Sequence, residues 1–417
     1  MIDIKNIKTK FFNNRKVAEN YFFMTFLQGS GLLIGLLLYP YLIRVLGKEA
    51  YGTYIFISSN IQFFVIFISF GFAFPALKKI SLFPDDNKIK SQTISEVFTA
   101  KIGLFVLCAI ILMALIFFVP FVRANAVFYA IIFATPLVDI LFPSWYFQGI
   151  QKMKFVTYVN LTWRVLTIPL IFTFIKSPVD LLKYTLIVTL LPIAGSVFTF
   201  FYLQIKEKIQ IRFVSFANLK SVFKDALPFF LKSMLGTTKS EAVTFIIGTF
   251  FNMESVAIYN LANKIVSIPR LVTNSINSVL FPKVIKNYSS ENVRKIIKLE
   301  RIIGLTMTVL IAALGYWAVL ILGGKNMLAA YPLAVILSFT IYAWLIVGCY
   351  IDFVFVPRHK YYFVTKNQLA ALASFLTLSI FGLLISKNII VLVLAYTLSH
   401  LVEIIYCRYL IKKHQLL

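Results

Sequence analysis

Apolar stretches close to the length of a bilayer-spanning helix recur from one end of this 417-residue chain to the other, and no segment between them could form a soluble domain. About 20 apolar residues of helix cross the roughly 30 Å of hydrocarbon in a bilayer. With 60% of its residues hydrophobic and 16% aromatic, the chain has lipid as its solvent. In lipid the backbone must satisfy its own hydrogen bonds, which favours helices. The pattern predicts helices near 21–43, 52–74, 98–121, 126–147, 156–175, 181–203, 226–250, 256–281, 302–323, 328–351, 363–385 and 389–409. The expected fold class is therefore an all-α polytopic membrane protein of about 12 transmembrane helices.

The connecting segments alternate in charge, which tests these spans because Lys and Arg are retained on the cytoplasmic side. Counted as Lys plus Arg, the amino-terminal arm holds five, segments 78–101, 152–154, 206–224, 283–301 and 358–366 hold five, two, five, six and three, and the tail holds three. Together these are 29 of the 41. The opposite loops hold Arg44, Lys48, Arg123, Lys176, Lys183, Lys325 and Lys387. Both termini are therefore expected in the cytoplasm. The first apolar run is too long for a signal-peptide core and ends in Tyr39, Pro40 and Tyr41 without a small-residue cleavage pattern, so it reads as an uncleaved span.

Topology and anionic headgroups account for most of the net charge of +25, so nucleic acid is not expected as a partner. Cys108, Cys349 and Cys407 have no CxxC spacing and read as small core residues, with no disulfide or metal expected.

The two halves look related at a separation of about 205 residues. Gly47-Lys-Glu-Ala-Tyr-Gly-Thr-Tyr54 resembles Asn252-Met-Glu-Ser-Val-Ala-Ile-Tyr259, matching Glu49 with Glu254 and Tyr54 with Tyr259. At nearly the same offset, Lys101-Ile-Gly-Leu104 opens the third predicted helix and Arg301-Ile-Ile-Gly-Leu305 the ninth. This predicts a cytoplasmic arm over 1–20, a first six-helix bundle over 21–210 and a second over 211–417. Six helices separate the copies, so the repeat is parallel, and transporters of this kind hold their cargo in a central cavity.

Five bases fall inside predicted spans: Arg164, Lys232, Lys239, Lys264 and Arg270. A charged side chain deep in hydrocarbon costs about 2.5–3.5 kcal/mol on the insertion scale and so faces a partner or a wet interior. Lys264 sits about eight residues, roughly 12 Å, into its helix. Asn260, Asn263, Lys264, Ser267 and Asn274 form a polar stripe on that helix. The structural alternative is pairing with Asp139, Glu241, Asp352 or Glu403. Asp352 and Glu403 lie near the cytoplasmic ends of their helices and are the weaker candidates, while His359 and His400 read as interfacial. Five deep bases against the two deepest acids, Asp139 and Glu241, favour an anionic cargo held by charge-assisted hydrogen bonds. Short extracytoplasmic loops, with no Gly-rich phosphate loop and no metal-spaced His cluster, argue against an enzyme.

Three segments are similar to a known family: Arg44-Val-Leu-Gly-Lys-Glu-Ala-Tyr-Gly-Thr-Tyr54, Trp145-Tyr-Phe-Gln-Gly-Ile-Gln-Lys-Met-Lys154 and Ala257-Ile-Tyr-Asn-Leu-Ala-Asn-Lys264. They resemble Wzx-type O-antigen and polysaccharide flippases of the superfamily that includes MATE antiporters and lipid II flippases. The resemblance implies a MATE-like pair of six-helix bundles in the bacterial inner membrane. It also implies a cargo of undecaprenyl-pyrophosphate-linked oligosaccharide, moved from the cytoplasmic to the periplasmic leaflet. On that reading Lys264, Arg270 and Lys239 hold the pyrophosphate, and Lys232 and Arg164 line its path. Asp139 and Glu241 are candidates for coupling to a proton or sodium ion, and membrane lipids, the polysaccharide polymerase and the chain-length machinery are expected partners. No cofactor is implied. The alternatives are a MATE-type small-molecule exporter, which would favour acids in its cavity, a lipid II flippase, a major-facilitator carrier, and a membrane polymerase or transferase. The 148–154 turn is open to a purely structural reading.

Overall fold

The structure is a computed structural model describing the backbone of residues 4–286, 289–358 and 360–417, and the side chains of residues 19–215, 219–270, 289–358, 360 and 362–417. Its helices are α1 (Ile4–Ser69), α2 (Ala73–Leu82), α3 (Asn87–Phe118), α4 (Pro120–Ala124), α5 (Ala126–Phe133), α6 (Pro136–Leu141), α7 (Ser144–Gly149), α8 (Met153–Phe174), α9 (Leu181–Ile205), α10 (Phe216–Phe250), α11 (Met253–Lys286), α12 (Ser290–Gly323), α13 (Ala330–Tyr350), α14 (Tyr361–Ile385) and α15 (Ile389–Lys413). Among the described residues, nine segments are long and apolar enough to cross a membrane. The first, Glu19–Ser69, is 51 residues long and breaks at Gly47, so it supplies two passes. α10 and α11 are also long enough to cross but carry the polar stripe and most of the deep bases, so among the described residues twelve helical stretches have the length to cross a membrane. Phe118 and Ile385 are 83% and 87% exposed, as side chains meeting lipid rather than water should be.

Two compact units form, one from Met1–Leu38 with Asn60–Met234 and one from Tyr39–Ser59 with Leu235–Leu417. The first is built on a core of Phe72, Val97, Phe142, Trp145, Phe147 and Leu203. The core of the second includes Val293, Ile346, Phe353, Val364, Ile404 and Cys407.

The break in α1 requires glycine, because Gly47 has φ 77°, a region open to few other residues. In the second unit Gly52 packs so tightly on the Met253 carbonyl that a Cβ would overlap it, and Lys48 pairs with Glu254 at 2.9 Å. The two repeat segments, 47–54 and 252–259, are thus in direct contact.

Several predicted boundaries change: α10 begins at Phe216 rather than 226 and α12 at Ser290 rather than 302, so parts of segments 206–224 and 283–301 are helix. The third span begins at Asn87 rather than 98, because Asp86 caps it by accepting from the amides of Lys88 at 2.8 Å and Ile89 at 3.0 Å. Segment 78–101, read as a cytoplasmic loop, is therefore mostly helix. The fourth span is three short helices, interrupted before Pro136 and Pro143, since proline lacks the amide that continues a helix.

Candidate functional site

The displaced start of α3 carries Lys101 into the interior, where it is 1% exposed. Its ammonium donates to the Asp139 carboxylate at 2.6 Å and to the Asp139 carbonyl at 3.2 Å. That carbonyl would ordinarily accept from the amide four residues on, which is Pro143 and has none to give. The proline break thus exposes an acceptor and the buried lysine takes it. Ser69 also donates to the Asp139 carboxylate, at 3.1 Å. Lys101, counted at first with the loop bases, is a sixth deep base.

The other bases of the first unit differ from each other. Arg164 donates to the Leu27 carbonyl at 2.7 Å and the Ser30 hydroxyl at 3.2 Å, tying α8 to α1. Lys232 is exposed and makes no ion pair among the described residues.

In the second unit Lys239 is 6% exposed and forms a short ion pair with Glu403. Glu403 was the weaker candidate because of its place along the sequence, but packing of α15 against α13 and α14 buries it and brings it to α10. His400, one turn before Glu403, is likewise buried rather than interfacial. Its Nδ1 lies 3.2 Å from Lys239 Nζ and 3.0 Å from the Tyr396 carbonyl oxygen. With a proton it donates to the carbonyl, and without one it accepts from the ammonium. Arg270 donates to the Thr340 hydroxyl. It also lies within electrostatic reach of Lys239 and Tyr396. Glu241 is half-buried and makes no ion pair among the described residues. His359 lies outside the described residues.

Lys264 is placed differently from the rest. Its ammonium sits 4.5 Å from the centre of the Tyr39 ring, a cation–π contact, and meets no carboxylate among the described residues. The Tyr39 hydroxyl and, one turn from Lys264, the Asn260 side-chain oxygen are buried without hydrogen-bond partners among the described residues. Such orphan groups call for water or a ligand. Asn263 and Ser267 continue the stripe, with the Ser267 hydroxyl spent on the Lys264 carbonyl at 2.7 Å. The Asn274 side chain lies outside those described.

Segment 145–154 is a clamp. Trp145, Tyr146, Phe147 and Gly149 are buried in the first unit's core. Glu207 accepts from Lys152 at 2.6 Å and from the Tyr146 hydroxyl at 3.2 Å, and the Met153 amide donates to Asn20 at 2.9 Å. These contacts explain the motif without a cargo.

A family model described as polysaccharide biosynthesis protein matches residues 17–287, most of the chain. The chain belongs to that family. It is 24% identical over 316 residues to an Escherichia coli K12 protein named "Putative O-antigen transporter", covering 76% of this chain and 75% of the relative. A Shigella dysenteriae protein of the same name is 21% identical over 283 residues, 66% of this chain and 70% of the relative. In structure, the chain is similar to the lipid II flippase MurJ in an inward closed conformation, with TM-score 0.67 and 13% identity, covering 94% of this chain and 87% of the other. It is equally similar to an inward-facing MATE multidrug transporter of the MOP superfamily, with TM-score 0.68 and 13% identity, covering 92% and 99%. The Wzx-type resemblance of the motifs and the MATE-like fold agree with these findings.

Proposed function

We propose that this family member is a transporter, not an enzyme, and that it moves lipid-linked polysaccharide units across the bacterial inner membrane. The cargo class follows the O-antigen transporter relatives and the MurJ-like and MATE-like fold. In the finer reading, undecaprenyl-pyrophosphate-linked oligosaccharide passes from the cytoplasmic to the periplasmic leaflet by alternating access, with both termini in the cytoplasm. The observation that carries the anionic cargo is the Lys264 group: a base in a membrane helix, facing an aromatic ring instead of an acid, beside two orphan polar atoms. A pyrophosphate oxygen would accept from the ammonium and from the Tyr39 hydroxyl, and sugar hydroxyls would donate to Asn260. Arg270, which also donates to Thr340, and Lys239, paired with Glu403, are the proposed assisting bases of the same unit, while Lys232 and Arg164 belong to the first unit and are proposed only to meet the cargo along its path. Glu241 is the candidate for proton or sodium coupling, since Asp139 is held by Lys101 and Ser69.

A cation exporter would need unneutralised acids, and here two of the deep acids, Asp139 and Glu403, are paired with lysines. The test is a strain that lacks its own flippase but assembles the glycan. Expression of this chain should restore surface polymer and lower cytoplasmic-face lipid-linked oligosaccharide. Continued accumulation, with the protein in the membrane and the cargo verified, would overturn the reading.

A further inference from the structure

A second set of bases, remote in sequence from Lys264, converges at one end of the second unit. Arg294, Lys298 and Arg301 follow at steps of four and three along α12, so they share a face, and Arg408 and Lys412 do the same on α15. The two faces line a cavity of about 560 Å³ with Tyr350 between them. Among the described residues no acidic side chain lines it. Among the described residues none of the five is in an ion pair, and their one side-chain hydrogen bond runs from Arg408 Nε to the Tyr350 hydroxyl, at 3.3 Å. The Arg301 Nε is buried without a hydrogen-bond partner among the described residues.

Two acids of α12 have partners outside the cavity lining. Glu291 pairs with Lys295 at 2.7 Å, and the fully buried Glu300 accepts from the Cys349 thiol at 2.7 Å. Retention of basic residues on one side of the membrane asks only that they lie in that region. It does not ask five to converge from two helices around a cavity, where like charges one turn apart repel.

We propose that this cavity binds an anion carrying at least two phosphate groups. Basic faces on two helices offer two separate sets of donors, one for each of two phosphate groups. The Arg301 and Arg408 guanidinium forks suit phosphate oxygens, and Lys298, Lys412 and Arg294 surround them as point charges and a third fork. Ile297, Ile411 and Leu417 complete the lining and give an attached hydrocarbon chain an apolar wall. Two sources share this chemistry: a resident bilayer lipid with two phosphodiesters, and the pyrophosphate headgroup of the proposed cargo. The assignment rests on the orientation proposed above only for which leaflet supplies the ligand.

The experiment uses the full chain purified in detergent and measures binding of cardiolipin in phosphatidylcholine mixed micelles, with phosphatidylcholine alone as blank, and of inorganic pyrophosphate. At least one phosphate probe should bind. Its affinity should fall about tenfold or more in R301Q/R408Q, as expected for losing charge-assisted hydrogen bonds. K78Q/K88Q, which removes the same charge from exposed lysines of the first unit, should leave binding unchanged. Cardiolipin binding that pyrophosphate does not displace identifies a resident lipid, and pyrophosphate binding with the same arginine dependence identifies the cargo headgroup. If R301Q/R408Q fails to fold, K298Q/K412Q at exposed positions carries the test, with the same direction of loss. No binding above the blank, or equal loss in K78Q/K88Q, overturns the proposal. Because the readout is binding to purified protein, its failure is separate from failure of the flipping assay.

Discussion

Removing either member of the Lys239–Glu403 pair should destabilise the protein far more than removing both. The side chains are 7% and 14% exposed, so water cannot take over the charge left behind. Glu403→Gln leaves the ammonium with the His400 ring nitrogen at 3.2 Å and the Tyr396 ring at 5.5 Å from its centre. Lys239→Met leaves a buried carboxylate with no other ion-pair partner among the described residues. Breaking such a pair costs about 3–5 kcal/mol, whereas replacing both partners by neutral groups of similar volume is often close to neutral. The His400 contact puts Glu403→Gln at the lower end, about 3 kcal/mol, and Lys239→Met near the upper end. The double variant should return to within about 1 kcal/mol of the native protein, a coupling well above the ~0.5 kcal/mol scatter of independent sites. Chemical denaturation of the four proteins in one detergent closes the cycle. Additive single losses would refute the pairing. The double variant also separates structure from transport: if Lys239 only braces the unit, the restored protein transports normally, and if it also contacts cargo, stability returns without transport.

Three further outcomes are expected. Lys264→Ala should abolish restoration of surface polymer while leaving the protein in the membrane, and Lys264→Arg should recover part of it; normal transport in the alanine variant would remove Lys264 from the site. Lys101→Met should cost about 2 kcal/mol, because it leaves the Asp139 carbonyl without the partner that Pro143 cannot supply; an unchanged denaturation midpoint would show that water satisfies this carbonyl. Gly52→Val should cost about 1–3 kcal/mol by forcing a side chain against the Met253 carbonyl, and a variant as stable as the native protein would mean that α1 and α11 separate at little cost.

The sequence by itself determined the solvent and the polytopic all-α fold class. These rest on composition and on runs of apolar residues, which are local and additive along the chain. It also marked Arg164, Lys232, Lys239, Lys264 and Arg270, because a base in an apolar run stands out without knowledge of its neighbours. It could not say which bases were already spoken for. Lys101 was counted with the loop bases because the start of α3 depends on the Asp86 cap, a signal legible in Asp85-Asp86-Asn87 but overshadowed by the charge of that segment. The proline four residues after Asp139 was likewise visible, though its effect needed the lysine 38 residues earlier in the chain. Glu403 and His400 sat near a predicted helix end, and only the packing of α15 placed them beside Lys239. The basic cavity under Tyr350 joins residues more than a hundred positions apart. Partner choice among buried charges is a property of interhelical distance, which the apolar pattern does not encode, so tertiary structure alone decided which cations are braced by carboxylates and which meet none among the described residues.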